Sequence, residues 1–465
     1  MEFVNYKIDD IIISIKTGKT PSTKERLYFD GDIPWITTSD LKGQKVLDYT
    51  EKTISKLALI ENEAFTFEKN TVIVSTIGEI GKACIIKKPM ACNQQLSGIV
   101  VNNNIIHPEL FYYWLVKNQE LLKFKANKAI ISILNNKLLR SIPISFPKNL
   151  ENQRKIIAQL DQIQNVIDLK IKTIEVYDKL ILSIYFQMFG NPITNDKNWK
   201  TKKLSDIGVW KSGGTPKTNV EDYYNGSIPW FTSGELGELF VNKSKKHIST
   251  LAVEKSNAKI IQKHSIMIGM YDTAAFKMSI NNLECSCNQA ILYSKPKDKF
   301  YLYTIYYTLL ISKRFFLDKR KGARQKNLSS TFIKNIDIIY PNNKEGKVLV
   351  EKFNSYVISI FNSKQLENES LIVLEKLFKS VLNNSFKENV KINEENIFDD
   401  LIKKYTVEDL KNKKERLQYL INLFSEGNLN DVSSYNNAKE KLFELLDEEV
   451  IEQTFDGENI KIDVK

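Results

Sequence analysis

Two stretches of this chain read almost alike. The first runs Thr20-Pro21, then Gly31-Asp32-Ile33-Pro34-Trp35, then Thr37-Thr38-Ser39-Asp40-Leu41. The second runs Thr215-Pro216, then Gly226-Ser227-Ile228-Pro229-Trp230, then Thr232-Ser233-Gly234-Glu235-Leu236, each position displaced by 195 residues. The same offset carries Cys92-Asn93-Gln94 onto Cys287-Asn288-Gln289 and Phe111-Tyr112 onto Tyr306-Tyr307, and Pro147 matches Pro341 at an offset of 194. Two copies that stay in step for about 130 residues are two domains; solenoid units repeat every ~20–50 residues.

Each copy ends in a segment of another kind. From Glu151 to Gln187 there is no Pro or Gly, and apolar residues fall at Ile156, Leu160, Ile163, Ile167, Ile171, Ile174, Ile181 and Ile184. Steps of three and four place them on one stripe of a long helix. After Pro341 the second copy has Phe353, Val357, Ile360, Leu371, Leu374, Phe378 and Val381, with Lys364 and Glu367 interrupting the stripe. Each helix of some 35 residues would be about 50 Å long. A stripe of that length needs a partner, and the spacing predicts that the two helices pair as a coiled coil. Gly190-Asn191-Pro192 is the stop-and-turn signal between the copies.

Inside each copy, β-rich runs such as 71–75 and 98–101 alternate with loops bearing Gly and Asn. An aromatic helix is expected over Pro108–Lys123 and again over Phe300–Phe316. The fold class is therefore α+β, with two tandem domains separated by long coiled-coil helices. The expected boundaries are 1–149 and 191–344 for the domains, 150–190 and 345–387 for the helices, and 388–465 for a small acidic tail. Helical strings in that tail are expected at 397–405, 407–424 and 435–446.

Charge separates body from tail. The 465 residues carry 67 Lys+Arg and 56 Asp+Glu. Residues 387–465 hold 12 basic and 19 acidic groups, a net of −7, which leaves 55 against 37, or +18, for the body. A basic body with an acidic tail points to a polyanionic partner for the body alone. The N-terminus MEFVNYKIDD has no signal-peptide layout, and the apolar stretch 300–311 is too short to span a bilayer. The expected location is the cytoplasm, with no membrane partner. Four cysteines form no disulfide framework and have no metal-ligand spacing, so buried thiols and no metal site are expected.

Catalytic strings are missing. The three histidines, His107, His247 and His264, have no carboxylate or nucleophile at motif spacing. Gly78-Glu79-Ile80-Gly81-Lys82-Ala83 lacks the length and hydroxyl of a phosphate loop, and no Gly-rich cofactor turn or Asn-Pro-Pro-aromatic methyltransferase string occurs. No catalytic residue and no cofactor is expected.

The loops are suited to DNA. Lys16, Lys19 and Lys24 flank Thr20-Pro21-Ser22-Thr23, while Lys211 and Lys217 flank Gly213-Gly214-Thr215-Pro216. Hydroxyls and lysines supply phosphate contacts, here joined by Thr37, Thr38, Ser39 and Lys82 in the first copy and Thr232 and Ser233 in the second. Asn93, Gln94 and Gln95, matched by Asn288 and Gln289, are side chains able to read adenine edges in the major groove. A basic run, Lys313, Arg314, Lys319, Arg320, Lys321, Arg324 and Lys326, has a thinner parallel in Lys123, Lys125, Lys128 and Lys137. Trp35, Trp230, Cys92 and Cys287 are expected in the core.

Two copies of Thr-Pro, Gly-x-Ile-Pro-Trp-x-Thr and Asn-Gln, each followed by a long helix, resemble the specificity subunit of a type I restriction-modification system. The resemblance covers residues 1 to about 387. It implies two target recognition domains, each reading half of a bipartite double-stranded DNA sequence, and helices that pack antiparallel, hold the domains apart and dock two modification (methyltransferase) subunits. Ile156, Leu160, Ile163, Ile167, Ile174, Phe353, Val357, Ile360, Leu374 and Val381 would form the interface stripe. Restriction (translocase and nuclease) subunits would join, with S-adenosylmethionine, ATP and Mg on those partners. A fragment of a single-chain restriction-modification enzyme would need catalytic motifs that are missing. A non-catalytic structural coiled-coil protein would not explain two matched loop sets in a body of +18.

Overall fold

The computed structural model describes residues 2–126, 133–318, 327–386, Leu445, 451–456 and 459–464. The chain divides into two compact units, 1–167 with 373–465 and 168–372. Each holds one copy of the repeat and a part of both long helices.

In the first unit, a five-stranded sheet has the order Ile12–Thr17, Leu96–Val101, Val72–Ser75, Ala83–Ile86, Val46–Leu47. Val72 to Ser75 and Ala83 to Ile86 are buried throughout, so they read as continuous apolar runs rather than as alternating ones. A four-stranded sheet joins Lys52–Ile54, Phe29–Ile36, Met90–Cys92 and Thr66–Phe67. Its central pair is parallel, with Trp35 opposite Ala91. Phe3–Lys7 pairs with Pro143–Pro147.

The second unit repeats this plan. Its five-stranded order is Lys211–Ser212, Ile291–Ser294, Ile266–Gly269, Met278–Asn281, Phe240–Val241. The parallel pair recurs with Trp230 opposite Ser286, 195 residues along. Thr201–Lys203 pairs with Asp337–Ile339 as the closing ribbon.

The expected aromatic helices are each broken in two. Pro108–Lys117 is followed by Gln119–Ala126, and Leu302–Ile311 by Lys313–Asp318. At the first break the buried Asn118 turns its Nδ2 onto the Trp114 carbonyl at 2.9 Å, and its own carbonyl starts the next helix by accepting from Leu122 N.

The long helices are Leu150–Phe189 and Lys344–Ser385. In the first unit Ile156 and Leu160 share a core with Leu382 and Phe386. In the second, Ile181, Tyr185 and Phe189 share a core with Val350, Phe353 and Val357. The start of each helix thus meets the end of the other, which makes the pairing antiparallel. Buried residues of the expected stripe are Ile156, Leu160, Ile167, Ile181, Phe353 and Val357; Ile163, Ile174, Ile184, Ile360, Leu371, Leu374, Phe378 and Val381 are half-buried. Ile171 departs from it and is 42% exposed. Where Lys364 and Glu367 interrupt the stripe, they form ion pairs across the seam: Lys364 with both oxygens of Asp178 (2.7 and 2.8 Å) and Glu367 with Lys170. Polar residues at a helix seam fix register.

The expected tail helices lie outside the described residues apart from Leu445, which is helical and buried. Beyond them Ile451–Asp456 and Asn459–Val464 form an antiparallel hairpin.

Candidate nucleic-acid interface

In each copy the Thr-Pro loop is zipped to the Asn-Gln loop by the same bonds. Gly18 N donates to Leu96 O and Lys19 N to Cys92 O; in the second copy Gly213 N donates to Ile291 O and Gly214 N to Cys287 O. The approach is close enough to require glycine at the first position. A β-carbon on Gly18 would lie 2.3 Å from the Cys92 carbonyl oxygen, and one on Gly213 2.4 Å from that of Cys287. Asn93 N donates to Ile36 O, and Asn288 N to Phe231 O, which ties each Asn-Gln loop to the strand that carries its Pro-Trp.

Above this zipper stand the exposed amides. The Thr20 hydroxyl donates to Gln94 Oε1, and the Thr215 hydroxyl to Gln289 Oε1. Both glutamines are exposed. With Oε1 engaged by a threonine, each side chain has a defined orientation and an Nε2 still able to donate.

Other expected contact residues have local duties. Thr37 Oγ1 donates to Asp40 Oδ2 at 2.8 Å and lies 2.8 Å from Ser39 Oγ; Thr232 Oγ1 donates to Glu235 Oε2 at 2.7 Å. Asp40 and Glu235 reach across to the backbone of Glu51 and Lys245 with their other oxygens, at 3.0 and 2.8 Å. These carboxylates anchor the hydroxyl-bearing turns, a role that the sequence reading overlooked although both stand three residues after the threonine, as in a capping box. Lys82 pairs with Glu79 at 2.7 Å, and Lys19 with Glu63 at 3.8 Å. Ser22 and Lys217 are exposed; Thr38 and Ser233 are half-exposed. Lys128, Arg320, Arg324 and Lys326 lie outside the described residues, as do Lys319 and Lys321.

Further cations accompany these loops in the second unit. Lys245, Lys246 and His247 line a shallow cleft with Tyr224, Asn225 and Gly226. The signal was the run Lys243-Ser244-Lys245-Lys246-His247, which sequence reading passed over. Elsewhere on this unit His264 is held below its usual pKa, first by partial burial and then by Lys299, Lys263 and Lys295. A field of that sign favours an anion.

Trp35 and Trp230 are core residues, 6% and 5% exposed. The indole N–H of Trp230 donates to Gly214 O at 3.0 Å, while that of Trp35 is buried without a partner. All four cysteines are buried and free. Burial pushes the Cys84 and Cys285 thiols up to about 12 and also raises Cys92 and Cys287 well above the ordinary thiol range, so none is a thiolate nucleophile. Among the described residues no group of three His, Cys, Asp or Glu is placed to hold a metal ion, and no helix is long and apolar enough to cross a membrane.

Comparison with known proteins matches residues 1–176 and 196–372 to the family described as type I restriction modification DNA specificity domain. The chain is 26% identical over 403 residues to the type I restriction enzyme MjaIX specificity subunit of Methanocaldococcus jannaschii, covering 81% of this chain and 90% of that one. It is 27% identical over 269 residues to the EcoR124I/EcoR124II specificity subunit of Escherichia coli, covering 54% of this chain and 64% of that protein. The crystal structure of a type I restriction-modification S subunit from M. genitalium has the same fold, with a TM-score of 0.54 at 16% identity over 83% of this chain and 96% of that one.

Proposed function

The chain belongs to the type I restriction-modification DNA specificity family, and from that premise we propose that it is a non-catalytic subunit whose domains 1–149 and 191–344 each read one half of a bipartite DNA target. The observation that carries this reading is the duplicated zipper with its exposed amide. Two domains share one frame, bond for bond, while the residues on that frame differ: Lys19 against Gly214, Ser22 against Lys217, Gln95 against Ala290. A common frame with different surface chemistry is what reading two different half-sites requires. Lysines and hydroxyls on the same loops would set the register on phosphates, and amides would read base edges.

The helices 150–190 and 345–387 would hold the domains apart and dock two modification subunits, with restriction subunits joining them in the cytoplasm. Support comes from apolar residues that the helix pair leaves exposed in the second unit, such as Val176 at 56%, Leu366 at 67% and Ile372 at 52%. Such residues suit a protein partner. S-adenosylmethionine, ATP and Mg would belong to those partners, since the sequence carries neither a phosphate-loop nor a methyltransferase string. The tail 388–465, at −7 over 387–465, would stay off DNA by repulsion.

The test is methylome sequencing of a host with and without the chain, together with salt-dependent binding by the purified protein. A bipartite motif should appear only with the chain. The isolated protein should neither methylate nor cut DNA. Six phosphate contacts give a log–log salt slope of about −5. A slope near zero, or methyl transfer by the chain alone, would refute the proposal.

A further inference from the structure

The Asn-Gln loops share a backbone but not a side-chain state. In the first domain Asn93 is 8% exposed and spent on its own loop. Its Oδ1 accepts from Gln95 N at 3.1 Å, and its Nδ2 donates to Gln95 Oε1 at 3.1 Å. Both ends of the amide are thus satisfied by the residue two places on. In the second domain that residue is Ala290, which has no amide to offer. Asn288 is half-buried; its Oδ1 is buried without a partner, and among the described residues nothing bonds its Nδ2. The buried Oδ1 is closed to a base, so what this side chain can offer one is its unbonded Nδ2.

Two differences therefore separate equivalent loops. The first domain shows the exposed Gln94, with Asn93 locked beneath it by the half-exposed Gln95. The second shows Gln289 and, beside it, an amide that nothing holds.

We propose that the residue two places after the asparagine is a specificity determinant: Gln95 withdraws Asn93 from base recognition in the first domain, whereas Ala290 leaves Asn288 free to bond a base edge in the second. This rests on the reading of these loops as DNA-facing. The bonded group is a base edge in the groove, since adjacent Gln289 is already oriented outward by Thr215. The asparagine is then offered in one half-site and withheld in the other, without any change of backbone.

The experiment uses the full chain with its modification subunit. Binding is measured to duplexes carrying the methylated motif and each single-base substitution of it. Asn288→Ala and Ala290→Gln should each lose discrimination by about 2- to 12-fold, the worth of one hydrogen bond, at the same base pair of the second half-site. Ala290→Met, with the bulk of glutamine but no amide, should keep it. Asn93→Ala should lower the melting temperature and leave first-half discrimination unchanged. The inference is overturned if Ala290→Gln keeps full discrimination, if Ala290→Met loses as much as Ala290→Gln, or if Asn93→Ala relaxes its half-site as Asn288→Ala does. Gln94→Ala and Gln289→Ala separate the two levels of failure. Should they also leave both half-sites intact, the loops do not face DNA; should they relax them while Asn288→Ala does not, only the inference falls.

Discussion

Gly214→Ala should destabilise the protein, whereas Lys19→Ala at the equivalent position should not. Both residues make the same backbone bond across the zipper, Lys19 N to Cys92 O and Gly214 N to Cys287 O, each at 2.9 Å. Their surroundings differ. A β-carbon on Gly214 would lie 2.3 Å from the carbonyl carbon and oxygen of Asn257 and 2.6 Å from Ala258 N. Ordinary contact needs about 3.5 Å, so the backbone must part by about 1 Å. It cannot do so freely, since Ala258 is wholly buried against Trp230, Ile248 and Ala252. Gly214 O also takes the indole N–H of Trp230 at 3.0 Å, and that bond would stretch as the loop moves. Overpacking costs about 1–3 kcal/mol. Leaving the buried donor unsatisfied costs about 1–3 kcal/mol more. The lower entropy of the unfolded alanine chain offsets about 0.4–1 kcal/mol. The net, about 2–5 kcal/mol, lowers Tm by roughly 4–20 °C at 2–4 °C per kcal/mol for a unit of this size. Lys19→Ala removes a surface hydrogen bond from its ammonium to Asn62 O and a partly exposed pair with Glu63 at 3.8 Å, together worth under about 1 kcal/mol. Scanning fluorimetry and urea titration of both variants check this, and binding to the second half-site should weaken with Gly214→Ala, because Thr215 follows it in the chain. Equal melting temperatures for the two variants would refute the argument from close approach.

The tryptophans give a second contrast. Trp230→Phe forfeits the bond to Gly214 O, and Trp35→Phe removes a donor that has no partner, so the former should cost about 1–3 kcal/mol more by urea midpoint; equal losses would mean that the indole bond contributes nothing. Glu367→Ala strands the half-buried Lys170 and should cost about 1–2 kcal/mol, whereas Lys170→Leu with Glu367→Leu should restore stability and remove its salt dependence; a salt-independent wild type would argue against a contributing pair. Inserting four residues near Asp168 adds about 6 Å of helix. Since the stripe keeps its facing, the methylated motif should gain one or two base pairs of spacer with both half-sites unchanged, while a two-residue insertion rotates the stripe and should abolish assembly. An unchanged spacer would mean that the helices do not set the distance.

The duplication, the α+β class and the two long helices were legible from the chain alone, because each is a linear signal. An offset of 195 needs no fold to be seen, and a stripe with steps of three and four has one helical solution. The buried tryptophans and thiols followed from composition and the Pro-Trp context in the same way. Local breaks were not legible. Asn118 ends one helix and starts another through a side-chain bond to Trp114 O, and nothing in the spacing of Phe111, Tyr112 and Trp114 distinguishes that from a continuous helix.

What the polar residues do was decided only in three dimensions. Asn93, Gln94 and Gln95 are three alike side chains in sequence, yet one is locked, one locks it, and one is presented by a threonine 74 residues away. Lys364 and Glu367 read as defects in an apolar stripe until Asp178 and Lys170 appear opposite them. An apolar residue needs only to be out of water, so its periodicity suffices to place it. A hydrogen-bonding group needs a particular partner at a particular distance, and that partner is set by the fold.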